Sequence, residues 1–66
     1  MSDKEYCATI CSAARLMGIG LIKESNHYVW VDSNGLGIPV KTPEEEDPKL
    51  RLKLACKALV DSIQIT

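Results

Sequence analysis

The sequence predicts a small two-layer α+β domain in the order α-β-β-β-α: a three-stranded antiparallel meander with two helices packed on one face. Three observations lead there. Apolar residues recur at intervals of three and four near both ends, the period drops to two between Gly20 and Val40, and turn-forming pairs divide that middle stretch. With 66 residues there is room for a single domain. A chain this short buries only about 60% of the surface its unfolded form exposes.

The first helix is expected at about 3–17. Ser2 and Glu5 have capping-box spacing, in which each side chain satisfies the other residue's free backbone N–H. Cys7, Ile10, Cys11, Ala14 and Met17 then form one apolar stripe, and Gly18 is a natural stop because glycine enters the left-handed conformation cheaply.

Strands are expected at about 20–24, 27–32 and 36–40. Asn34-Gly35 is a strong two-residue hairpin signal, since both residues tolerate positive φ. Used as the turn, it pairs Val31 with Ile38, Trp30 with Pro39 and Val29 with Val40. Ser25-Asn26, a weaker signal, pairs Ile22 with Val29 and Leu21 with Trp30. One face then collects Ile22, Val29, Val31, Ile38 and Val40, and it is the one the helices should cover. The other collects Leu21, Lys23, Tyr28, Trp30, Asp32, Pro39 and Lys41. Pro39 cannot donate to a ladder, which places its strand at an edge.

The stretch "KTPEEEDPKLRLKL" contains two helix starts. A helix begun at Thr42-Pro43 would carry Pro48 in its interior, at a cost of about 3 kcal/mol. Asp47-Pro48 gives a cap and a first-position proline with no conflict. The expectation is therefore a tight acidic turn at 43–47 and a helix at about 48–63, with the acids at the positive end of its dipole. The alternation "KLRLKL" also fits a strand. In the helical reading, Leu52, Ala55, Cys56, Leu59 and Ile63 form a stripe that Leu50, Leu54, Ala58 and Val60 widen beyond a simple surface helix.

Composition narrows the function classes. Aromatic residues are few (no Phe, one Trp, two Tyr), so an aliphatic core is expected. Three cysteines cannot complete an intrachain disulfide framework. The opening "MSDKEY" lacks the basic lead of a secretory signal, and no stretch has the roughly 18 apolar residues of a membrane span. These features predict a reducing, cytoplasmic setting. The net charge of −1 disfavours a dedicated nucleic-acid binder. It is unevenly placed, however: residues 1–47 carry four basic and eight acidic side chains, residues 48–66 four basic and one acidic.

The middle strand "HYVWV" is apolar on both faces, as in strands covered on both sides. With the over-wide last helix, this predicts more apolar surface than one copy hides, and hence a homodimer or small oligomer. The expected interaction face is Lys23, Tyr28, Trp30, Pro39 and Lys41. Trp30 can equally be read as core, within the monomer or at a dimer interface. Lys49, Arg51, Lys53 and Lys57 form a possible basic contact face.

No catalytic constellation is legible. A nucleophile–histidine pair needs a base in hydrogen-bond reach and a residue orienting it, and the sequence shows neither. Cys7, Cys11, His27 and Cys56 are a conceivable zinc set, but all three cysteines fall on apolar stripes, where Cys packs as a small hydrophobe. Neither metal nor cofactor is expected. The glycine pairs "MGIG" and "NGLG" lack the strand–turn–helix setting of a phosphate loop. The sequence thus predicts a small non-enzymatic protein that binds and modulates or inhibits a larger macromolecular partner, in the manner of phage inhibitors of host systems. The alternatives are a nucleic-acid-binding regulator and an oligomer holding a nucleotide-like ligand between subunits.

Overall fold

The computed structural model describes residues 2–64 and sets two helices against an antiparallel hairpin. Helix α1 runs Asp3–Leu16. Ser2 Oγ accepts from the Glu5 N–H at 3.2 Å, satisfying one donor left free in the first turn. The chain leaves through Gly18 at φ +76°. The Gly18 N–H donates to Arg15 O at 3.0 Å and the Ile19 N–H to Ala14 O at 2.9 Å, the two bonds of a Schellman motif. That exit turns Ile19 onto the core and starts β1, Gly20–Glu24, immediately afterwards.

Strand β1 pairs with β2, His27–Val31, placing Leu21 opposite Trp30 and Ile22 opposite Val29. This is the register that the Ser25-Asn26 turn implies. Ser25 has φ +52°, at the first loop position, where a type II′ turn has its positive φ.

The expected third strand at 36–40 does not form. Asp32 Oδ1 accepts from the N–H groups of Asn34 at 2.9 Å and Leu36 at 3.0 Å. The Asp32 N–H donates to Leu36 O, and the Gly35 N–H to Asp32 O. The loop is therefore three residues, 33–35, with Gly35 at φ +80°, and not the two-residue Asn34-Gly35 turn. The extra residue shifts the register by one, so Val31 faces Gly37 where Ile38 was expected. A one-residue slip moves each side chain to the opposite face.

Pairing then stops at once. The Ile38 N–H donates to Trp30 O at 2.9 Å, and the Val40 N–H to Ile38 O at 2.7 Å, closing a three-residue turn on Pro39. Proline brings no N–H to continue a ladder. Beyond it, the Thr42 hydroxyl donates to Tyr28 O and the Glu45 N–H to Asn26 O at 2.9 Å. The outward carbonyls of β2 and of the Ser25-Asn26 turn are thus met by two backbone N–H groups and one hydroxyl rather than by a strand.

Residues 41–45 run irregularly and bend at 46–47, where a tight turn was expected. Helix α2 spans Pro48–Gln64. Asp47 caps it, with Oδ1 accepting from the Lys49 N–H at 3.0 Å and its carbonyl from the Arg51 N–H at 2.8 Å. Pro48 occupies the first position, where its missing N–H costs nothing.

The helices cover the other side of the hairpin from the one expected. Trp30 is 1% exposed and sits with Cys7, Ala14, Cys56 and Leu59, while Leu21, Ile38 and Val40 pack around them. Of the face assigned to be covered, Ile22 is 45% exposed, while Val31 is buried but lies outside the tryptophan cluster. The reason is the indole. It offers more area than any aliphatic side chain, and its N–H needs a partner once buried. The Trp30 Nε1–H donates to Ala55 O at 2.9 Å. The register slip adds Ile38 and Val40 to the same side. The core is accordingly centred on one tryptophan and two cysteines, not on aliphatic residues alone.

Candidate interaction groove

Two proposed contact residues are removed from the surface. Trp30 belongs to the core, as its burial and its bond to α2 require. Arg51, assigned to the basic face, is 8% exposed. Its Nε donates to Glu45 O at 2.7 Å and its Nη2 to Glu46 O at 3.0 Å. The guanidinium fork matches two neighbouring carbonyls that the bend at 46–47 leaves unpaired, so this side chain fastens the acidic run to α2.

The other assigned residues separate into groups. Lys23 and Tyr28 pair across the hairpin beside its Ser25-Asn26 turn; Lys23 is exposed and Tyr28 half-buried. Lys53 Nζ lies 3.3 Å from Asp3 Oδ1, tying the second turn of α2 to the start of α1. Lys49 is exposed at the start of α2. Pro39, Lys41 and Lys57, drawn from both proposed faces, come together.

They meet in an open groove of about 480 Å³ between the 39–43 run and α2. Pro39, Val40, Lys41 and Pro43 form one wall; Leu54, Lys57, Ala58 and Asp61 form the other. The bond from Thr42 to Tyr28 O and the turn at Pro39 hold the first wall. Among the described residues neither Lys41 nor Lys57 has an ion-pair partner. The groove therefore offers a largely apolar lining, two prolines that present no N–H to a ligand, two available cations and, on the α2 wall, the Asp61 carboxylate. Sequence reasoning missed the α2 wall, although 54, 57, 58 and 61 have the spacing of one helix face.

A second groove, of about 580 Å³, lies between the helices and is lined by Cys7, Ala8 and Cys11 of α1 with Lys49 and Leu52 of α2. Cys56 Sγ lies behind it, 4.0 Å from Cys7 O. Burial, then the neighbouring Cys11 and Cys7 thiols, push the Cys56 thiol far above its ordinary pKa. His27 stands apart, with Nε2 4.0 Å from Glu24 Oε2. Among the described residues no group of three or more His, Cys, Asp or Glu side chains is arranged to hold a metal ion. No described helix is long and apolar enough to cross a membrane. Comparison with protein-family models, curated proteins and solved structures gave no match.

Proposed function

We propose that this chain is a small non-enzymatic interaction protein that self-associates and binds a larger protein partner, modulating or inhibiting it. The observation that carries this reading is the groove between 39–43 and α2. Apolar walls carrying Lys41 and Lys57, with Asp61 further along α2, suit a partner segment with apolar side chains and a carboxylate placed at the lysines and away from Asp61. Charge at the rim governs the rate and choice of partner, while the apolar centre supplies adhesion. Exposed Ile22, Leu36, Leu50 and Met17 add apolar surface available to further contacts.

The nucleic-acid reading is weaker. Single-stranded bases stack on exposed aromatic side chains and phosphates need exposed cations, but Trp30 of the expected interaction face and Arg51 of the basic face are both buried. The test is affinity capture from host extract with the intact chain as bait, comparing wild type with the Lys41→Glu/Lys57→Glu variant. Loss of the captured protein on charge reversal, with an unchanged circular dichroism spectrum, supports the groove. Undiminished capture by the variant refutes it, and capture of nucleic acid that fades steeply with salt favours the alternative.

A further inference from the structure

We infer that β1 is the self-association strand, pairing antiparallel with β1 of a second copy about a twofold axis through Ile22. The inference deepens the self-association in the reading above and rests on it. Its basis is the unequal treatment of the hairpin's two edges. The outward carbonyls of β2 are taken, Trp30 O by the Ile38 N–H and Tyr28 O by the Thr42 hydroxyl, and the Glu45 N–H takes Asn26 O in the adjoining turn, so the 38–45 run covers that edge. Strand β1 pairs with β2 alone, and four of its five residues are exposed, whereas those of β2 are buried or half-buried.

The direction of the backbone groups follows from the register. Trp30 and Asp32 bond outward, to Ile38 and Leu36. Alternation along the strand then directs Val31, Val29 and His27 at β1, where they face Gly20, Ile22 and Glu24. The N–H and C=O groups of Leu21 and Lys23 point the other way, to the open edge. An exposed edge of this kind is a template for another strand.

Among the possible twofold registers, one fits. An axis through Lys23 sets like charges directly opposite each other, which is unfavourable. An axis through Leu21 sets Ile22 against Gly20 of the copy and leaves the isoleucine uncovered. An axis through Ile22 lets Leu21 exchange both backbone bonds with Lys23 of the copy. Ile22, 45% exposed in the single chain, then meets its own counterpart at the close spacing of a non-hydrogen-bonded pair. The Lys23 stem covers Leu21 of the copy while its ammonium stays in water, and Glu24 faces a glycine. With Val29 beside each Ile22, an unbroken apolar row crosses a four-stranded sheet.

Sedimentation equilibrium on the intact chain over micromolar concentrations tests the inference with two variants. Lys23→Pro deletes an outward N–H and spares the β1–β2 ladder. It should raise the dimer dissociation constant about tenfold, because symmetry removes two bonds. Ile22→Cys in a Cys11→Ser background should form a disulfide-linked dimer under mild oxidation, whereas Val29→Cys should not. A folded Lys23→Pro variant that dimerises like wild type overturns the strand assignment and leaves self-association standing. If Lys23→Pro fails to fold, the cross-link decides, and its absence at Ile22→Cys overturns the assignment. A wild-type chain that is monomeric throughout the range overturns self-association and this inference together, without touching the groove reading.

Discussion

Replacing Trp30 by alanine should remove most of the stability of this domain. The side chain is 1% exposed, so nearly all of its roughly 200 Å² leaves water on folding. At about 25 cal/mol per Å² that burial is worth about 5 kcal/mol, and allowing for a compact unfolded chain lowers it to roughly 3–4 kcal/mol. Large-to-small aromatic substitutions in cores cost about 3–5 kcal/mol, which brackets the same figure. A domain of this length has about 3–10 kcal/mol in all. Trp30→Phe isolates a smaller part: it keeps an aromatic ring but drops the bond to Ala55 O, with a loss of about 1–2 kcal/mol. Urea denaturation followed by circular dichroism at 222 nm is the suitable assay, because both variants lack the only tryptophan. A loss below about 1 kcal/mol in Trp30→Ala would show that the indole is not the centre of the core.

Arg51→Met keeps the buried stem but strips the donors from Glu45 O and Glu46 O; it should cost about 1–3 kcal/mol, and limited proteolysis should show earlier cleavage within 41–47. Arg51→Lys should recover only part of this, since an ammonium does not reproduce the fork. For Cys56, a raised folded pKa means that the folded chain holds its thiol proton more tightly than the unfolded chain. That contribution is complete below the ordinary thiol value of about 8.5 and is lost as pH rises above it. Unfolding free energy should therefore decline above about pH 8.5, and Cys56→Ala should flatten the slope. A thiol reagent at pH 8 should modify Cys11 well before Cys56; equal rates would refute this assignment of burial.

The parts of the fold that were legible are those with local causes. Ser2, Gly18 and the Asp47-Pro48 start act within one turn of themselves, and Ser25-Asn26 sets a register across two residues. Asn34-Gly35 misled because glycine serves two hairpin geometries. What decides between them is the Asp32 carboxylate reaching two N–H groups, a three-dimensional matter. The face assignment failed because counting aliphatic positions ignores size: one indole outweighs Ile22 and its neighbours. Arg51 was unreadable for a different reason. Its acceptors are backbone carbonyls, which leave no trace in the residue names. Of the groove, Pro39, Lys41 and Lys57 were picked out individually, but nothing in a linear reading says that a run without regular structure will lie beside the far half of the last helix.

The irregular seam along β2 has a consequence for how this molecule can vary. A ladder passes a one-residue insertion along its whole length and inverts its faces. A seam fastened at separated points, by Ile38, Thr42 and Glu45, confines the change to the span between two fasteners. Lineages and engineers alike can lengthen, shorten or rewrite that span, remoulding the 39–43 wall of the groove while the tryptophan-centred interior stays as it was.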